Sequence, residues 1–208
     1  GSSLLPFERL VDRKQGLWIL SGGRFGPVDR ALLGIDGLRS AADWKPKGPW
    51  GRSLGSWMLE TSVDSQALLD RHRDQLPLLR RQRSRPEARR ARAIEAAARF
   101  RDAFGDRFVL EIQDHRLPED QWLLPLLTSI GADLSVPLLA TNGVHYARPG
   151  DRRLQDVMTC IRVHTTLPTA GTQLLPNAHF RLKSPAEMAA LFPAHLDAVA
   201  RSADIADD

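Results

Sequence analysis

RFVLEIQDHRLPEDQWLLPLLTSIGADLSVPLLAT, residues 107 to 141, carries the alternation on which the fold turns. RFVLEIQ (107–113) has the apolar, β-rich character of a strand, and Gly105 just before it supplies a helix stop. Pro118 and Glu119 open a helix through Leu134, with Pro125 expected to kink it or to mark its true start. Pro137 to Thr141 is a second short buried strand. Strand, helix and strand in about 35 residues predict a right-handed parallel crossover, hence an α/β fold.

The same alternation continues on both sides. Upstream, GLWIL (16–20) reads as a buried strand ending in the glycine turn SGGRFG (21–26), followed by a short helix around Val28 to Leu33. Residues 34–85 mix Gly, Pro, Trp and Ser without a repeat and read as a partly irregular insertion with a helical candidate at Ser65 to Arg71. Pro86 then opens a helix to Phe104, with Ala91, Ile94, Ala98 and Phe104 near one face. Downstream, Asp151 to Ile161 is a helix with Leu154, Val157, Met158 and Ile161 on one side, and Thr165 to Asn177 is a loop. Ser184, Pro185 and Glu187 form a capping box with proline at the first helical position, and a last helix runs from about Ala194 to Ile205. The expected organisation is a strand–turn–helix segment (1–33), the insertion (34–85), a basic helix and βαβ segment (86–161), and a loop with linking helices (162–208).

A chain of 208 residues with 42% hydrophobic and 26% charged residues can bury a sizeable core. No run of about 18 apolar residues and no signal-peptide pattern is present, so the chain is expected in the cytoplasm and not in a membrane. Cys160 is the single cysteine, which excludes an internal disulfide and a cysteine-rich zinc module. Gly1 in place of an initiating Met suggests a piece of something longer, with Gly1 to Ser3 a possible cloning scar.

Charge is concentrated. Arg71 to Arg101 holds eleven arginines against Asp74, Glu87 and Glu95, a local excess of eight in a chain whose formal net charge is +4. Such a run can follow a phosphate backbone with salt-sensitive affinity, and Arg80, Arg81, Arg83, Arg85, Arg89 and Arg90 are the candidate nucleic-acid contacts. A solvated helix face is the simpler account of the same run, and no aromatic residue is interleaved among arginines 71 to 92 to make a stacking platform.

Chemistry in parallel α/β folds gathers where the carboxyl ends of strands converge. SGG (21–23), TNGVH (141–145) and EIQDH (111–115) lie at such ends. His145 beside Asn142 is a candidate metal ligand or acid/base group, although a lone histidine is more often a satisfied loop residue. Glu111, Asp114 and His115 could bind a metal or polarise a phosphate. Glu111 points either to a barrel interior or to an arginine of the preceding helix, and a structural ion pair fits it as well as catalysis does. His72, His164, His179 and His195 have no metal-ligand spacing. No phosphate-binding glycine loop, GxSxG elbow or HExxH helix is present.

GLWILSGGRFGPVDRALL, RFVLEIQDHRLPED, VPLLATNGVHYARPGDRRLQDVMTCIR and FRLKSPAEMAALFPAHLDAVARSADIAD together resemble, in order and wording, the second half of the PHP domain of bacterial C-family DNA polymerases, of the DNA polymerase III alpha and error-prone types. The resemblance covers residues 5–35 and 100–208. It implies a distorted β/α barrel with a metal cluster at the strand ends. The barrel is expected to be incomplete, because a whole one needs roughly 200 residues or more, about 50 of these 208 residues are the insertion, and the family's opening strand with paired histidines would precede Gly1. Two ligand positions depart from the metal-binding pattern: Gly23 stands where such members have the Cys of SGC, and Gly143 where they have the Asp of TNDxH, leaving His145 alone. The resemblance further implies helices leading to a polymerase core beyond residue 208, with Mg²⁺ in the parent's palm, no cofactor in this piece, and DNA and replication or repair proteins as partners of the parent. Two other readings stay open: an autonomous metal-dependent PHP phosphoesterase, and a non-enzymatic nucleic-acid-binding module acting through Arg71 to Arg101.

Overall fold

The computed structural model describes residues 6–33 and 86–208. The predicted insertion, its helical candidate at 65–71, and Arg80, Arg81, Arg83 and Arg85 lie outside the described residues. Strand β2 (Phe108–Ile112) is the centre of a three-stranded sheet, between β1 (Ile19–Leu20) and β3 (Leu138–Ala140), and both pairings are parallel. Ile19 is in register with Phe108, and Leu110 with Leu138. All five β2 residues are buried, as expected for a central strand covered on both faces.

β1 is shorter than the predicted 16–20. Gly16 has φ 73° and the Leu17 amide donates to the Lys14 carbonyl (3.1 Å), so these residues close a turn instead of extending the strand. That turn follows helix α1 (Phe7–Asp12), which the sequence reading did not anticipate. Phe7 anchors it edge-on to the Phe100 ring (5.2 Å between centroids), and Phe100 in turn stacks on Phe108 (5.6 Å). Such pairs add about 0.5–1.5 kcal/mol each beyond area burial.

Helix α2 (Pro27–Leu33) lies along α3 (Pro86–Phe104), whose bounds match the prediction. The buried stripe of α3 matches in part: Phe104 is buried and Ile94 packs against the core as expected, but Ala93 and Ala97 face the core where Ala91 is exposed and Ala98 only half-buried. Small side chains at 93 and 97 let Val28, Ala31 and Leu32 of α2 pack close, so the neighbour chose the face. β2 leads through α4 (Asp120–Leu134) to β3, which is the predicted parallel crossover. α4 begins five residues before Pro125, so that proline does not mark its start, and it buries Leu123, Leu127 and Ile130 at helical spacing.

In α5 (Arg152–Arg162) Thr159 and Cys160 turn inward, while Leu154, Val157, Met158 and Ile161 do share one side, and that side is exposed. The predicted loop at 165–177 contains a short helix, α6 (Leu167–Ala170), opened by Thr166 and Thr169. The capping box is as predicted: Ser184 Oγ accepts from the Glu187 amide and the Glu187 carboxylate accepts from the Ser184 amide, opening α7 (Pro185–Leu191). α8 (Leu196–Asp207) packs on β3, with Arg201 Nη1 donating to the Leu138 carbonyl (2.7 Å). Among the described residues no helix is long and apolar enough to cross a membrane.

Candidate functional site at the strand ends

The three parallel strands deliver Ser21–Gly23, Gln113–His115 and Thr141–Gly143 to one edge of the sheet. Glu111, on the middle strand, ties the loops together. Its carboxylate accepts the Gly22 amide (2.7 Å) and the Thr141 hydroxyl (2.7 Å), and its own amide donates to Ser21 Oγ (2.9 Å). The ion pair expected between Glu111 and an arginine of α3 is not formed: backbone and hydroxyl donors of the flanking strand ends satisfy the carboxylate. The turn after β1 depends on glycine, because a Cβ at Gly26 would lie 1.7 Å from the Ser21 carbonyl oxygen.

His115 is 1% exposed, and its ring stacks on Phe180 with centroids 3.9 Å apart. Nε2 sits 2.8 Å from the Asn142 carbonyl, which accepts only if Nε2 carries the proton. Nδ1 is then a buried acceptor without a hydrogen-bond partner. Burial above all, helped by the positive charges of Arg24 and Lys183, lowers the imidazole pKa to about 4, so the ring is neutral at physiological pH.

Behind His115 lies a buried acidic group that sequence reasoning missed. Asp120 Oδ2 accepts the His115 and Leu117 amides, both at 2.9 Å, as an aspartate in the first turn of α4 can. Arg24, from the turn after β1, pairs with Asp120 and with Glu119 (2.8 Å). Asp29 on α2 is 3% exposed with no hydrogen-bond partner for Oδ1, and burial raises its pKa to about 7 against the opposing charge of Arg24. Arg24 and Asp120 are 96 residues apart, so no local spacing could have announced the pair.

The loop after β3 is held from the other side. Asn142 donates to the carbonyls of His179 and Arg181 and accepts from Lys183 Nζ, while the His145 amide donates to the Phe180 carbonyl (2.8 Å). The His145 side chain is exposed and meets Phe180 edge-on at 6.0 Å. His145, Glu111, Asp114 and His115 thus share the strand-end region without converging as ligands. Among the described residues no group of three or more His, Cys, Asp or Glu could hold a metal ion. The side chain that instead occupies the space beside Gly23 is Gln113, which with the His115 ring also borders Gly143. It too was overlooked, although the period of two along β2 puts it on the same side as Glu111.

Of the six candidate nucleic-acid contacts, Arg89 and Arg90 are among the described residues. Arg90 pairs with Asp133 and donates to Ser129 Oγ (3.1 Å) on α4, tying the two helices together. Arg99 covers the Phe7 ring at 3.9 Å, and Arg101 pairs with the neighbouring Asp102. These arginines are partly spent on the chain's own side chains.

Fold and site define an α/β unit whose polar centre is at the carboxyl ends of a parallel sheet. No family model matches the chain. Over about half its length it is similar to bacterial DNA polymerases. It is 42% identical over 113 residues to an error-prone DNA polymerase of Anaeromyxobacter dehalogenans, covering 54% of this chain and 10% of that protein. It is 44% identical over 118 residues to an error-prone DNA polymerase of Rhodopseudomonas palustris, covering 56% of this chain and 10% of the relative. With DNA polymerase III subunit alpha of Treponema pallidum the identity is 36% over 121 residues, covering 58% and 10% respectively. The matched part spans about a tenth of these curated relatives.

Proposed function

We propose that the chain is the later part of the PHP region of a DNA-directed DNA polymerase, error-prone or replicative, and that it serves there as scaffold and partner surface with a degraded metal site. The identity of 36–44% to proteins bearing those names carries the reading. The three-stranded parallel sheet fits a segment of a distorted β/α barrel, and glycine at 23 and 143 fits a strand-end site that has lost ligands. DNA is then the substrate of the parent, whose palm would use Mg²⁺ for nucleotidyl transfer. Residues 1–33 and 86–161 supply the barrel segments, and 162–208 lead toward the polymerase core.

Two measurements test this. The reading frames flanking the chain are expected to encode a histidine-rich amino terminus and a palm with paired aspartates; their absence overturns the polymerase assignment. Metal analysis of the purified chain is expected to find less than stoichiometric zinc or manganese. A stoichiometric metal that disappears in His145→Ala overturns the degraded-site reading and favours a phosphoesterase.

A further inference from the structure

Gln113 follows Glu111 on the same side of β2, and its carboxamide is where the three strand-end loops meet. Nε2 donates to Thr141 Oγ1 (2.9 Å) and lies 3.5 Å from Glu111 Oε1. A Cβ added at Gly23 would fall 2.6 Å from Nε2 and 2.8 Å from Cδ of the same amide. A Cβ added at Gly143 would fall 3.6 Å from its Nε2 and Oε1 and from Cε1 of His115, an ordinary contact distance. Gly23 and Gly143 have φ of 51° and 48°, a region that L side chains rarely adopt. Of the two positions at which the resemblance implies sulfur and carboxylate ligands, Gly23 therefore leaves the space that the Gln113 amide fills, and Gly143 borders that amide and the His115 ring.

We propose that Gln113 takes the place of a cation as the cross-link of this site, and that Gly23 is the residue whose missing side chain makes room for it, with Gly143 bordering it at contact distance. The inference rests on the degraded-site reading above and says what fills the site. A cation would join the loops through charge and needs several anionic or lone-pair donors. The amide joins them by hydrogen bonds, and Glu111 remains satisfied by Gly22, Thr141 and Gln113 with no added positive charge. The strand-end loops are thus held without metal, and a side chain at position 23 expels the amide.

A double-mutant cycle on the full chain tests this, with the urea midpoint as the readout. Gly105 is the control for backbone strain, because it has φ 57° and nothing within 4 Å of an added Cβ. Gly23→Ala is expected to lower the midpoint more than Gly105→Ala does. In a Gln113→Ala background the two glycine substitutions are expected to cost the same, so that positions 23 and 113 couple while 105 and 113 add. Amide exchange at Gly22 and at Thr141 to Gly143 is expected to quicken roughly tenfold in Gln113→Ala. The wild-type midpoint is expected to stay unchanged with EDTA or with equimolar Mn²⁺ or Zn²⁺. Additivity between 23 and 113, or a midpoint lowered by the chelator, overturns the proposal. Should Gly23→Ala alone not fold, adding Gln113→Ala is expected to restore folding, and a double variant that stays unfolded overturns it equally. None of these readouts involves nucleotide incorporation, so their failure leaves the polymerase assignment standing.

Discussion

Asp29 offers a test of the buried charges around the strand ends. Its carboxyl is 3% exposed, Oδ1 has no hydrogen-bond partner, and its pKa rises from 3.8 to about 7, chiefly through burial, with Glu111 and Asp120 adding to the rise and Arg24 opposing it. Between those two values the native state keeps a proton that the unfolded chain has released. Stability from this group therefore falls as pH rises through the window, and the full cost is present above pH 7. A shift of about 3 pKa units at about 1.4 kcal/mol each amounts to about 4 kcal/mol. Asp29→Asn removes the titration while keeping the shape. The stability of the variant relative to wild type is thus expected to grow by nearly that amount from pH 4 to pH 8. His115 works in the opposite direction: with its pKa lowered to about 4, it adds stability as pH rises toward 6.5. That contribution is present in both proteins and cancels in the difference. Urea denaturation followed by circular dichroism at several pH values measures it. A difference that stays flat across the range would refute the account, since it would mean that the Asp29 carboxylate is solvated or paired in the native state.

Arg24→Met should destabilise by about 3 kcal/mol, because it leaves the Glu119 and Asp120 carboxylates buried without their cation; the same denaturation assay at pH 7 reads it. A loss under 1 kcal/mol would show that the pair is not the neutraliser of this group. Gly26→Ala should unfold the turn after β1, since its Cβ would meet the Ser21 carbonyl oxygen, and loss of protection at the Ser21 amide, which donates to the Val109 carbonyl, would report it by hydrogen exchange. Ser184→Ala should cost about 1 kcal/mol through the lost cap of α7, with no change in exchange at the strand ends.

Local order was legible where apolar runs carry clear punctuation, and not in α1, in α6 or in the turn at Gly16 that shortens β1. The strand–helix–strand of residues 107–141 follows from apolar runs and their punctuation, the start of α7 from a capping box four residues long, and the ends of α3 from Pro86 and Gly105. The strand ends were legible as a location, since SGG, EIQDH and TNGVH each follow an apolar run.

Partners at that location were not. Glu111 read as equally ready for an α3 arginine or a barrel interior, and only the pairing of β1 and β3 on either side of β2 decided that Gly22 and Thr141 would satisfy it. The face of α3 turned from Ala91 to Ala93 and Ala97 because α2 packs there, and helical periodicity leaves such a choice open when alanines surround the helix. Gly23 and Gly143 could be seen as missing side chains from the chain alone. That both empty places border the Gln113 amide is a fact of three dimensions, since hydrogen bonds and steric exclusion act over ångströms between residues that the sequence sets about 30 and 90 positions apart.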